Sequence, residues 1–537
     1  MTVSIDNLNH NTTDKGISPT VDQEKVDQIL ADPELMNKIL SEQGIKTNEP
    51  LNNTNQRTAN LRKQALSTMI TILSMLVLVA FLLSPFIQFI ERVIVEAADE
   101  TWTMKVDPSY DARRVLNLYQ GMIDNVHVIV RLVVTVIYVL CVIRIIQDWK
   151  NVRRKLSQYL FRLLPFFIFL LFDLSIILVT AIRGANEYDL VGHPYLYESI
   201  YSYILYPIAY FFCGMQIDRE KMKRILLYAL IFTAFPLHIL ELINQWGLPI
   251  RYFIKNGVTL VFHQFNHYGY YIMITLLTSA FLFVYEKKKW LKIFDLVSLC
   301  VCTMILVVND TFGAHLAAFG AMLLFLIYMI VTTKKKREKG KIQEKISFKR
   351  AVQNVKEGGT WHSAVFILIV FLGITLAMSF KYSNVLSSAI KTVGDVGDVI
   401  VNPSESGGAG TGRWTLWKGY AKGIAEKPLT GWGVEGLLNT KKVGTPHNEL
   451  LQYAGFFGIP TMLLYLASVL LVLWLVIRNQ KQMSRTTMAC FFVSLGYLAS
   501  SMFGVAIYYT TPFIYIFLGL TYAEYLKNGK RVEEEKK

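Results

Sequence analysis

The sequence predicts an all-α polytopic membrane protein, and three observations carry that prediction. Of its 537 residues, 53% are apolar and only 18% are charged, a balance outside the range of soluble globular domains. Apolar runs long enough to cross a ~30 Å hydrocarbon core recur along almost the whole chain. Lys and Arg gather in short segments between those runs, at 150–155 (KNVRRK), 218–224 (DREKMKR), 286–292 (EKKKWLK) and 334–341 (KKKREKGK). Basic loops of this kind stay on the cytoplasmic side, so the net charge of +15 reads as topology and does not point to a nucleic-acid partner. The longest of them, 334–356, also suits contact with anionic lipid. The alternating pattern of a membrane β-barrel is absent.

Residues 1–63 are rich in Asn, Thr, Asp and Gln and poor in aromatics, which suits a mostly disordered cytoplasmic tail. Within it, DPELMNKILSEQG at 32–44 has the marks of a short amphipathic helix: Asp32 caps, Pro33 starts, Leu35, Met36, Ile39 and Leu40 share a face, and Gly44 stops it. Spans are then expected near 65–94, 126–146, 159–182, 200–217, 225–245, 268–285, 293–309, 312–332 and 362–380, all within 64–380. Three more are expected within 447–526, near 448–477, 487–503 and 511–526, followed by a cytoplasmic tail at 527–537. About twelve spans place both termini in the cytoplasm. All five cysteines fall in spans, where they act as small hydrophobes, with no spacing for zinc or a disulfide framework. Arg131, Asp173, His238 and Glu241 are expected in the outer half of the bilayer, Arg131 and Asp173 as either a structural pair or a functional one.

The one long connection, 381–446, is expected outside the cytoplasm as a large loop with interfacial helices. Its glycine-rich start, Ser404 to Gly412, serves as a hinge or wraps its N–H groups around a phosphate. From Arg413 a helix is expected, with Trp414, Trp417, Ala421 and Ile424 on one face, Lys418 and Lys422 one turn apart on another, and Pro428 closing it. Such a helix is a strap lying in the interface, or a phosphate site in which the Arg413 guanidinium forks around oxygens.

The stretch TPHNELLQYAGFFGIP at 445–460 opens the next span. Thr445 suits the N-cap and Pro446 the first helical position, which puts His447, Asn448 and Glu449 in the first turn of a helix running to about 477. The partial positive charge of a helix start keeps the imidazole neutral, the state a general base requires. The alternative is a polar cap at the membrane surface. Other outward loops add Asn266 and His267 with His263, Asp310 in the turn 309–315, and Arg183 with Glu187, Asp189 and His193.

Gly412-Arg413, Trp417, Ile424, Pro428-Leu429, Gly431, Gly433, His447-Asn448, Leu451, Gly455 and Gly458 resemble the signature of the O-antigen ligase and Wzy-type polysaccharide polymerase superfamily. The resemblance implies a GT-C-like glycosyltransferase of the bacterial cytoplasmic membrane, working at its outer face without metal or other cofactor. It further implies undecaprenyl-diphosphate-linked glycans as donors and a partnership with other polysaccharide-assembly membrane proteins. It maps a diphosphate contact onto Arg413 and the base that activates the acceptor hydroxyl onto His447, leaving Asn448, Glu449, Lys418, Lys422, Asn266, His267, Asp310 and Arg183 as candidate substrate contacts. Phe312 stands where many members have a second arginine, and Tyr453 where many have Glu; Arg183, Arg251 and His267 are candidates to supply the missing contact. The expected function is a polymerase joining lipid-linked repeat units into a surface or capsular polysaccharide, with a ligase as the alternative. A transporter or flippase is a weaker reading, since it calls for repeated halves and binding groups at the midplane.

Overall fold

The computed structural model describes residues 52–98, 129–154, 156–192, 199–245, 265–339, 361–382, 412–508 and 510–534. The expected helix at 32–44, most of the glycine-rich segment, and His193, Arg251 and His263 lie outside them. The chain divides into two compact units, Met1–Thr68 and Met69–Lys537. In the first, the described residues are the opening turns of helix α1 (Asn52–Ala98), so the helix reaches back into the expected tail. Once a span has nucleated, each further residue with fair helical propensity adds a hydrogen bond at little cost.

The second unit is helical, with no strand among its described residues. After the rest of α1 come α2 (Ile129–Gln147), α3 (Trp149–Arg154), α4 (Leu156–Arg162), α5 (Leu164–Arg183) and α6 (Glu187–Val191). Then follow α7 (Ile200–Met215), α8 (Glu220–Gln245), α9 (Phe265–Tyr285), α10 (Lys289–Val308), α11 (Phe312–Lys339) and α12 (Trp361–Tyr382). The last group is α13 (Arg413–Glu426), α14 (Gly436–Lys441), α15 (Glu449–Phe457), α16 (Ile459–Arg478), α17 (Arg485–Ser501) and α18 (Thr511–Glu534).

Among the described residues, nine helices are long and apolar enough to cross a membrane. The expected spans at 200–217, 487–503 and 511–526 form α7, α17 and α18, which fall short of that length or hydropathy. Burial explains the difference: α17 and most of α18 are enclosed by protein, so Thr486, Thr487, Ser494, Thr511 and Thr521 meet neighbouring helices. The expected span at 448–477 is not continuous, because Gly458 (φ +86°) separates α15 from α16. The expected C-terminal tail is also helical, as α18 runs on to Glu534.

The core lies around α9, buried from His267 to Val284 and packed against α8, α10, α11, α12 and α17. Several of its polar side chains have internal partners; His238 of α8 bridges Tyr268 Oη and Thr275 Oγ1 at 2.9 Å each. The expected Arg131–Asp173 pair does not form. Arg131 is exposed in the first turn of α2, 5.6 Å from the Tyr201 ring, whereas Asp173 is buried halfway along α5, at another level.

Both ends of the bundle are tied by polar contacts. At one end Lys223, wholly buried, donates to Thr487 Oγ1 (2.7 Å) and pairs with Glu524, while Arg224 pairs with Glu286. The starts of α9, α11, α15, α16 and α18 and the ends of α5, α8, α10 and α17 form the other end, where the candidate site lies.

Candidate active site

Two helices that run in the same sense build the site. Trp417 Nε1 of α13 donates to the Pro446 carbonyl just ahead of α15 (2.8 Å), and the Tyr420 ring lies against Gly455 of α15. Past both helices, the Ile459 N–H donates to the Pro428 carbonyl (2.8 Å). Arg413 stands seven residues before Tyr420, and Asn448 seven before Gly455. At ~1.5 Å of rise per residue, the two helix starts come level, with Arg413 on one and His447 and Asn448 on the other.

The turn Pro428-Leu429-Thr430-Gly431-Trp432-Gly433 joins the far ends of the same two helices. The last carbonyls of a helix lack intrahelical partners; here the Trp432 and Gly433 N–H groups donate to Gly455 O (2.8 Å) and Phe456 O (2.9 Å). Trp432 Nε1 does the same for Gly423 O of α13 (2.8 Å). Two glycines make this approach possible. A Cβ on Gly431 (φ +62°) would lie 2.4 Å from Phe456 O, and one on Gly458 (φ +86°) would lie 2.3 Å from Leu429 O.

Helix α13 begins at Arg413 and ends before Pro428, as expected, but it buries Tyr420, Gly423 and Ile424, leaving Ala421 exposed and Trp414 and Trp417 half-buried. The small Gly455 and the Leu437 side chain choose that face. The start of α15 also differs from expectation. Asn448, not Thr445, is the N-cap, its Oδ1 accepting the Leu451 N–H at 3.0 Å. Asparagine is the stronger cap, and His447 at φ +47° cannot sit within a helix. His447 and Asn448 therefore precede the first turn, and Glu449 alone of the three is in it.

Burial, and after it the nearby Arg413 guanidinium, holds the His447 imidazole below its ordinary pKa, so the ring is neutral near pH 7. These causes take the place of the helix-start charge expected from the sequence. Burial also lowers the Arg413 pKa, opposed by the neighbouring Tyr270 hydroxyl, but a guanidinium stays charged regardless.

Around this pair, Glu449 is fully buried and its Oε1 accepts from Tyr497 Oη at 2.7 Å. The Tyr497 ring packs on Tyr270, whose Oη donates to Ser500 O at 3.1 Å. Asn448 Nδ2 donates to Met502 O (3.3 Å), and Gln452 exchanges hydrogen bonds with both backbone groups of Ala506. The segment 502–507 is thereby docked on α15. Phe503 in it touches Gly313, which brings the 309–313 turn alongside. That turn is held to the start of α9 by Asn309 Nδ2 donating to Phe265 O at 2.8 Å.

Asn266, half-buried, and His267, buried, lie one turn before Tyr270 on α9, while Asp310 is exposed at φ +50°. Phe312 is half-buried in the first turn of α11. The Lys418 ammonium lies 5.7 Å from the Trp414 ring, and Lys422 is exposed. Arg183 is not a free cation facing the site. Its Nη2 pairs with Asp189 Oδ2 at 2.6 Å and its Nη1 donates to Phe456 O (3.1 Å) and Thr430 O (3.3 Å), which occupies the group that was a candidate phosphate contact.

Sequence reasoning missed Tyr270, Tyr497 and Glu435. Tyr270 was within reach, four residues beyond Asn266 and so on the same face of a helix. Tyr497 lies in an apolar run, and a Glu between glycines reads as solvated. Glu435 is in fact wholly buried at φ +52°, with no hydrogen-bond partner for either carboxylate oxygen among the described residues, and burial raises its pKa to about 7. No group of three or more His, Cys, Asp or Glu placed to hold a metal occurs among the described residues.

Residues 296–466 match the family model described as O-antigen ligase. No curated protein matches the chain. The match runs from α10 through the 309–313 turn, α13 and the glycine turn into α16; it contains Arg413 and His447 and excludes Arg183, Tyr270 and Tyr497. The chain is thus a multi-pass membrane protein that carries, over these residues, the domain of the O-antigen ligase and Wzy-type superfamily.

Proposed function

We propose that this protein is a polymerase that joins undecaprenyl-diphosphate-linked oligosaccharide repeat units at the outer face of the bacterial cytoplasmic membrane. The observation that supports it most is the level placement of a half-buried guanidinium, Arg413, and a neutral imidazole, His447, at the starts of α13 and α15. A bond forms between the acceptor sugar oxygen and the donor's anomeric carbon, and the bond from that carbon to the diphosphate oxygen breaks. The acceptor proton passes to the imidazole, while the guanidinium takes up the charge that develops on the leaving diphosphate. That step needs no metal or nucleotide sugar.

Asn448 and Glu449 hold the start of α15 through the Leu451 cap and the Tyr497 bond, which fixes the position of His447. Asn266, His267 and Asp310 are assigned to the sugars, and Lys418 and Lys422 to the outer part of the donor. The family model's own description favours a second reading, a ligase moving a lipid-linked glycan to another acceptor.

Surface glycan and lipid-linked intermediates, measured in cells carrying Arg413→Ala or His447→Ala at verified protein level, separate these readings. The polymerase reading expects long chains to vanish and single lipid-linked units to accumulate. Long chains stranded on the lipid carrier identify a ligase. Unchanged glycan in both variants refutes the assignment of this pair.

A further inference from the structure

At the end of α5, outside the matched family region, a compact polar cluster grips the glycine turn. Asp189 Oδ2 accepts from Arg183 Nη2 (2.6 Å) and from the Asn186 N–H (2.7 Å), and its Oδ1 accepts from the Val434 N–H (2.9 Å). Asn186 Oδ1 accepts from the Asp189 N–H (2.8 Å), and its Nδ2 donates to the Val434 carbonyl (3.2 Å). Arg183 Nη1 reaches Thr430 O in the turn and Phe456 O at the end of α15. The ion pair is buried, with the arginine side chain 7% exposed and the aspartate fully covered.

We infer that Arg183, Asp189 and Asn186 are positioning residues for glycan transfer: they lock the turn at which α13 and α15 both end, and so set the spacing between Arg413 and His447 at their starts. The inference rests on the proposed function for its catalytic consequence and on the contacts above for its mechanics. A single guanidinium bonding both the turn, at Thr430 O, and the end of α15, at Phe456 O, couples them as no separate contacts would. The Asp189 carboxylate holds that guanidinium's second nitrogen and fixes Val434, which determines where the chain re-enters α14. The cluster uses a fork of donors in a plane, so a lysine, with its point charge, cannot replace Arg183. A loosened turn lets the two helix starts drift, and misplacement by ~1 Å costs on the order of 100-fold in rate.

The test uses the full-length protein in lipid nanodiscs, with Arg183→Lys, Arg183→Ala, Asp189→Asn and the milder Asn186→Ala. Two quantities are read: amide hydrogen exchange at Trp432, Gly433 and Ile459, and the kcat and KM for transfer from a polyprenyl-diphosphate-linked oligosaccharide. Positioning requires faster exchange at those amides in every variant that folds, and turnover lowered on the order of 100-fold in Arg183→Lys and Asp189→Asn alike, with KM little moved. If Arg183→Lys keeps turnover while Arg183→Ala raises KM, Arg183 is a phosphate contact and the inference is overturned. Unchanged exchange in all four variants overturns it as well. Failure of the proposed function looks different: the wild-type protein transfers no glycan, and the exchange measurement still decides whether the cluster locks the turn.

Discussion

His447 is held where few residues sit willingly, at φ +47°, half-buried, with a guanidinium alongside. Each feature costs stability when taken alone, and together they produce a neutral imidazole beside a permanent positive charge. Glu435 is a second such residue, buried at φ +52° with no hydrogen-bond partner for its carboxylate among the described residues. Its folded pKa, about 7, lies above the ordinary 4.5. The stability tied to its protonated form is therefore complete below pH 4.5 and lost as pH rises through about 7, a change of about 3 kcal/mol. Glu435→Gln should raise the thermal stability of the detergent-solubilised protein at pH 8, by a margin that shrinks towards pH 4.5. An equal margin at all pH values would show that the carboxylate is not titrating in the folded protein.

At the scale of elements, the site depends on where helices stop and start. Gly458 ends α15 and lets its backbone rest on Leu429; Asn448 caps its start. Gly458→Ala should cost about 1–3 kcal/mol from the positive φ, with a further cost from the contact with Leu429, while Asn448→Ala should cost about 1 kcal/mol. Thermal melts check both, and a greater loss in Asn448→Ala than in Gly458→Ala would contradict this reading of the two helix ends. The helix over Arg413–Glu426 was legible because Pro428 and the apolar spacing are local signals. Its buried face was not, since Gly455 and Leu437 select it from elsewhere in the chain. The break at Gly458 had a local signal in Gly458 followed by Pro460, but the continuous apolar run on either side masked it. The start at Asn448 was missed because Thr445 followed by Pro446 also offers a local start, and the packed conformation of His447 rules it out.

For the whole molecule, the lipid-facing helices were the most readable part, because a membrane demands long apolar runs. The helices enclosed by protein near the C-terminus, α17 and α18, carry tyrosines, threonines and serines that no bilayer selects, so span length and hydropathy describe them poorly. Arg413 and His447 could be read from a motif confined to a short stretch. The Arg183 cluster could not, since its partners at Thr430, Val434 and Phe456 lie more than 240 residues away and nothing local marks the contact. The architecture converts those distant contacts into one spacing, that between two helix starts, where the proposed function has Arg413 and His447 act as a single centre. Single-turnover glycan transfer by Arg413→Gln, His447→Gln and the double variant, with a polyprenyl-diphosphate-linked donor, tests it most directly. Residues that act as a unit are non-additive, so the double variant should be no slower than the slower single variant. Losses that multiply would mean that the two residues contribute independently, and a double variant as fast as the wild-type protein would remove both from the chemistry.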